Sequence, residues 1–102
     1  MGRQGPARVG ELCVDPATRE VRVGERPVAL ANKEFELLRA LAAEPRRVFT
    51  KDELLRDIWG YRPGTRTRTL DSHASRLRRK LDPEGGRYVQ NCWGVGYRLV
   101  KV

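Results

Sequence analysis

RTLDSHASRLRRKL, residues 68–81, is the stretch whose reading decides the fold of this 102-residue chain. At about 100° per residue, Leu70, Ala74, Leu77 and Leu81 fall in one narrow sector, the buried stripe of an amphipathic helix. The pattern predicts that helix over about residues 67–82, stopped by DPEGG. Opposite the stripe lie Arg68, Ser72, Ser75, Arg76 and Arg79. Thr69, His73 and Lys80 occupy one flank, Asp71 and Arg78 the other. A merely solvated helix interleaves Glu with its cations for support one turn apart, whereas this outer face holds no acid. Small side chains allow close approach to base edges, and long cations fork onto guanine or reach phosphates on the groove walls. The face therefore suits the major groove of a duplex better than plain solvent.

Working outward, residues 61–80 hold seven basic residues and one acid, so six of the chain's eight net positive charges sit in a fifth of its length. A polyanion-binding surface needs such a concentration, because counterion release scales with the phosphates neutralised. A charge run is also what any solvated face shows, so the helix pattern, not charge alone, carries the reading. Upstream, TKDELLRDIWG opens with Thr50 and Glu53 at capping-box spacing and shows an apolar face of Leu54, Leu55, Ile58 and Trp59, with Trp59 expected in the core. Gly60 ends that helix, and YRPGTRT forms a loop at its Pro-Gly pair. Before it, NKEFELLRALAAEP places Phe35, Leu38, Leu41 and Ala42 on one stripe closed by Pro45.

The first third reads as three short strands in an antiparallel meander: RVGELCVD, EVRVG and PVAL. Val21 and Val23 alternate with Arg22, the period of a strand with one wet face. The chain closes with RYVQN and GYRLVKV, a hairpin through CWGV. Residues 1–8 read as a flexible linker remnant and 9–102 as one domain. The fold class is α+β: a strand meander, three helices and a C-terminal hairpin wing, the winged helix-turn-helix arrangement.

Several function classes fall away. Cys13 and Cys92 are isolated from each other and from His73, so no metal site is expected, and two lone thiols suit a reducing cytoplasm. No nucleophile–base set or paired carboxylates can be assembled, and GVG is too short for a dinucleotide fingerprint; neither catalysis nor a cofactor is expected. No apolar run is long enough to span a membrane. His73 is expected to donate to a phosphate or to pack at the helix edge. Asp71 is expected to steady a neighbouring arginine or the helix start.

At this point the residues resemble a known family. EVRVGERPVALANKEFELLRAL, FTKDELLRDIWG, RTLDSHASRLRRKL and NCWGVGYRL are similar, in order and spacing over about residues 9–101, to the OmpR/PhoB-type DNA-binding domains of bacterial response regulators. The resemblance implies an effector half that follows a phosphorylatable receiver domain. It implies binding at tandem direct repeats as a head-to-tail dimer, with the third helix in the major groove and the wing in the adjacent minor groove. It further implies that the loop of Tyr61, Arg62, Pro63, Gly64, Thr65 and Arg66 meets RNA polymerase. Arg68, Thr69, His73, Arg76 and Arg78 match positions that contact phosphates or bases in relatives. Arg78 lies off the outward centre and, with Lys80, is read as a backbone or structural contact. Asn91, Trp93, Gly94 and Tyr97 belong to the wing, which Gly96 and Tyr97 seat.

Four positions depart from that pattern. Ala31 stands where relatives cap the first helix with threonine, so Asn32 is expected to cap one residue late. Ser72 and Ser75 replace larger side chains, so relatives' target sequences do not transfer. Trp93 replaces the wing arginine, with three roles open: burial under the hairpin, packing on the flank of the third helix, or a DNA-side contact. The last is preferred. Rival functions are a stand-alone winged-helix regulator without phosphorylation input, and a non-specific architectural or protein-interaction module.

Overall fold

The computed structural model describes residues 6–100; the expectations for residues 1–5 and for Lys101 and Val102 lie outside them. Four short strands come first: β1 (Ala7–Val9), β2 (Leu12–Asp15), β3 (Glu20–Val23) and β4 (Arg26–Pro27), antiparallel in that order. The expected meander of three strands is thus one of four, because RVGELCVD turns at Gly10–Glu11 and pairs with itself, Val9 opposite Leu12. Ala7 and Arg8, expected in the linker, belong to β1. In register, Leu12 faces Val23 and Val14 faces Val21, which sends all four side chains to the same buried face. PVAL contributes only Pro27 to a strand, followed by one amide bond from Val28 to Val21.

The first helix, α1 (Asn32–Ala43), buries Phe35, Leu38, Leu41 and Ala42 as expected, and also Leu37 and Glu34. Asn32 does not cap it. The N-cap is Ala31, whose carbonyl accepts from Phe35, while the Glu34 carboxylate accepts the Ala31 amide at 3.0 Å. Half a capping box therefore survives without its hydroxyl. Asn32 instead accepts a 2.7 Å bond from Arg19. A two-residue strand, β5 (Phe49–Thr50), unseen in the sequence, leads into α2 (Lys51–Leu54). Its capping box is complete: Glu53 N–H donates to Thr50 Oγ1 at 3.1 Å, and Thr50 N–H to Glu53 Oε2 at 2.7 Å.

Helix α2 runs on through a π-helical turn, Leu55–Trp59. Gly60 closes it in the left-handed conformation (φ 77°), and the Tyr61 amide reaches back to the Leu55 carbonyl at 3.1 Å. A wider turn takes more residues per revolution, so Trp59 lands short of Leu55's face. It is half-buried, edge-on to His73 at 5.0 Å between ring centroids, rather than in the core. The third helix, α3, spans Thr69–Leu81 and buries Leu70, Ala74, Leu77 and Leu81, the stripe read from the sequence. The hairpin follows as β6 (Gln90–Cys92) and β7 (Gly96–Arg98). Strand β7 is central in a second sheet ordered β5-β7-β6, so the wing is anchored to the start of α2. Both sheets and all three helices share one core.

Candidate nucleic-acid interface

Helix α3 is held at both ends by groups outside it. At its start, Thr67 Oγ1 accepts the Thr69 amide at 3.1 Å, satisfying a donor that no helical carbonyl reaches. At its end, the Arg26 guanidinium donates to the Lys80 and Leu81 carbonyls at 3.2 and 2.8 Å, joining the N-terminal sheet to the last turn. This cation complements the negative end of the helix dipole. Just beyond, buried Asp82 accepts from both the amide and the Nε of Arg87. Burial raises the Asp82 pKa, but Arg87 outweighs it and the carboxyl stays below its ordinary range.

The outward face takes the predicted form except that it is not free of acid, since Asp71 lines it too. Arg68, Ser72, Ser75, Arg76 and Arg79 are exposed and, with half-buried Asp71, line one shallow groove along α3. Thr69 and His73 sit half-buried on the flank. His73 Nδ1 lies 2.7 Å from the Thr69 carbonyl, which can only accept, so Nδ1 carries a proton and the ring packs at the helix edge against Trp59. Arg78 is half-buried, off the outward centre as read.

Asp71 does not steady an arginine. Its Oδ1 accepts the Tyr97 hydroxyl at 2.6 Å, and Lys51 Nζ lies 3.3 Å from the same oxygen. One carboxylate in the first turn of α3 thereby gathers the wing and the start of α2. Tyr97 is buried; that burial, and then the Asp71 carboxylate, push its phenol well above the usual range, so it serves only as a donor here. Beside it, Gly96 is packed so tightly that a Cβ would overlap the Phe49 carbonyl of β5. At the wing tip, Val95 N–H bonds back to Cys92, leaving Trp93 and Gly94 at the apex. Trp93 is 86% exposed, so it neither folds under the hairpin nor covers the flank of α3. Asn91 is half-buried in β6.

In the loop between α2 and α3, the Gly64 amide bonds Asp52 and Thr65 bonds the Arg62 carbonyl. Arg62, Pro63, Gly64, Thr65 and Arg66 are exposed, and Tyr61 is half-buried.

Glu34 is a site residue the sequence reading passed over. It is 1% exposed, and it accepts Lys80 Nζ at 2.7 Å and Arg76 Nε at 3.3 Å. Burial raises its pKa, but Lys80, the Ala31 amide and Arg76 together outweigh that and hold the carboxyl below its ordinary range. Its signal was legible: position 34 shares a helical stripe with Leu38 and Leu41, an acid in a core register.

Positive charge is divided unevenly across the molecule. Away from α3, most cations are engaged: Arg19 with Glu36, Arg47 with Glu44 and Glu53, Arg56 with Asp57, and Lys33 with the Ile58 carbonyl. Among the described residues, the side chains of Arg62, Arg66, Arg68, Arg78 and Arg79, on α3 and the loop before it, have no hydrogen-bond or ion-pair partner; elsewhere the same holds for Arg8, Arg22, Arg46 and Arg98.

Comparison with known proteins matches this architecture. Residues 24–99 match the family model described as transcriptional regulatory protein, C terminal. The response regulator MprA of Mycolicibacterium vanbaalenii is 40% identical over 99 residues, 96% of this chain and 43% of that protein. The chain spans about two fifths of the length of the curated relatives it matches. Among solved structures, the Klebsiella pneumoniae RstA DNA-binding domain in complex with the RstA box superposes with a TM-score of 0.86 at 28% identity, covering 95% of this chain and 98% of that one. The Thermotoga maritima response regulator DrrB, an OmpR/PhoB homologue, gives 0.83 at 31% identity over 96% of this chain and 45% of its own. This chain belongs to the family of transcriptional regulatory protein C-terminal domains, of the OmpR/PhoB type.

Proposed function

We propose that this chain reads double-stranded DNA in a sequence-specific way and regulates transcription as the output domain of a response regulator. Helix α3 enters the major groove, and the hairpin over residues 88–99 lies at the neighbouring minor groove. The observation that carries this reading is the surface of α3: Arg68 and Arg79, whose side chains are unpartnered among the described residues, line one groove with Arg76, Ser72 and Ser75, and Arg62 and Arg66 stand exposed on the loop before it. Small side chains beside free guanidinium groups give both close approach and phosphate attraction. The RstA domain, alike along nearly its whole length and solved in complex with the RstA box, supports DNA as the partner.

Family membership supports the wider assignments of this reading. The domain works in the cytoplasm without catalysis or a cofactor and follows a receiver domain, for which the longer relatives leave room. It occupies tandem direct repeats as a head-to-tail dimer. The loop Tyr61–Arg66 faces RNA polymerase. Among the described residues, no helix is long and apolar enough to cross a membrane.

Selection of bound duplexes from a randomised pool tests the reading. The enriched sites are expected to exceed random DNA in affinity by about 10³ or more and to recur at fixed spacing. Equal binding to every duplex would overturn it in favour of a non-specific architectural module.

A further inference from the structure

The cations of α3 are not equivalent. The Arg68 and Arg79 side chains have no partner among the described residues and Arg78 makes no side-chain hydrogen bond or ion pair there, its charge acting only on the Tyr97 phenol, whereas Arg76 and Lys80, one turn apart, both end on the buried carboxylate of Glu34. The grip on Arg76 is partial. Only Nε is engaged, at 3.3 Å; the terminal Nη nitrogens have no partner among the described residues, and the side chain, 46% exposed, lines the groove beside Ser72, Ser75 and Arg79. Glu34 is itself fixed through the Ala31 amide at the start of α1. A guanidinium held at Nε loses rotation about its last bonds and presents its Nη edge in one orientation, while keeping a bidentate donor pair.

We propose that Glu34 is a positioning residue for sequence reading. It aims the Nη fork of Arg76 at one acceptor pair in the groove, and it offsets the charge of Arg76 and Lys80 so that neither adds much to indiscriminate attraction. An uncompensated cation is drawn to any phosphate. A compensated one gains from DNA only where acceptors match its geometry, which penalises the wrong site relative to the right one. Glu34 thus lowers affinity for random duplex while preserving it for the matched site. This inference rests on the DNA-reading function proposed above.

The test uses the duplex most enriched by the unaltered chain and a shuffled duplex of the same composition, with binding followed against salt. Glu34→Gln keeps an acceptor for the Ala31 amide and removes the charge. It is expected to bind the shuffled duplex more tightly, with a steeper salt dependence, and to lose about tenfold in discrimination. Arg76→Lys keeps the charge but has neither Nε nor the fork, and is expected to lose discrimination in the same way. Adding Glu34→Gln to Arg76→Lys should then lower discrimination little further. Unchanged discrimination in a folded Glu34→Gln chain would overturn the proposal, as would an equal loss for both duplexes, which is the mark of a purely structural role. Should Glu34→Gln not fold, Arg76→Lys decides, and retained discrimination there overturns it. If the unaltered chain itself fails to discriminate, the DNA-reading function falls, and this inference with it.

Discussion

Two side chains of opposite exposure show how single residues divide the work. Glu34, buried at the start of α1, is ionised below the ordinary carboxylate range because two cations and an amide outweigh its burial. The folded protein therefore binds fewer protons than the unfolded chain between that lowered value and the ordinary one. Stability rises with pH across the window, is fully present above it, and is lost as pH falls through the lowered value. Glu34→Gln is expected to cost about 1–3 kcal/mol at neutral pH and to flatten this part of the acid limb, read by urea unfolding at several pH values. Asp82 shifts in the same direction and leaves a residual slope in the variant. Trp93 is the reverse case, 86% exposed at the wing tip with nothing to stabilise in the folded chain. Trp93→Ala should leave the melting temperature unchanged and weaken binding to a selected duplex by about 1 kcal/mol, the low end of aromatic stacking on bases. Because the lost contact is uncharged, the salt dependence should stay as it was. Unaltered affinity would remove Trp93 from the interface.

At the scale of elements, the wing and α3 are coupled through the Asp71 carboxylate, which accepts the Tyr97 hydroxyl while Lys51 lies beside it. Tyr97→Phe removes one charge-assisted bond and is expected to destabilise the domain by about 1.5–3 kcal/mol. DNA affinity should fall further than the loss of folded protein explains, since the hairpin is no longer held to α3; a loss matching the folded fraction would deny the coupling. Gly96→Ala forces a Cβ into the Phe49 carbonyl and should cost about 3 kcal/mol in chemical unfolding, the upper end of overpacking. Neither contact follows from periodicity. The buried stripe of α3 and the Thr50–Glu53 box were legible because they depend on spacing within one segment. Strand β5 was not, because two residues carry no period and exist as a strand only by pairing with Tyr97 and Gly96, far along the chain. The extra strand of the meander was hidden for a related reason, since RVGELCVD is apolar enough to read as one run until Gly10 turns it back. Trp59 was misplaced because a π-helical turn breaks the 3.6-residue period on which the reading relied. The outer face of α3 was legible as a surface, but its division into gripped and free cations was not, because Glu34 comes from another helix.

Across the whole molecule, net charge says less than where it is left unpaired. The chain carries +8, yet much of its basic content is spent on internal carboxylates and carbonyls. If the DNA-facing charge is that of Arg62, Arg66, Arg68, Arg78 and Arg79, each meeting one phosphate, the log–log slope of affinity against salt is expected to be about −4.5. If every basic residue of the 61–80 stretch contributed, the slope would be steeper, near about −6. Measurements on one selected duplex between low and physiological salt separate the two. Arg79→Ala is expected to reduce the slope by about 0.9. Arg46 provides the control, since it too is exposed and unpartnered among the described residues but lies on the α1–β5 connection beside Arg8 and Val100. Arg46→Ala lowers the net charge by the same amount as Arg79→Ala. An equal effect of the two would mean that the overall field, not the α3 surface, attracts the duplex; a change confined to Arg79→Ala ties the attraction to the groove-facing helix.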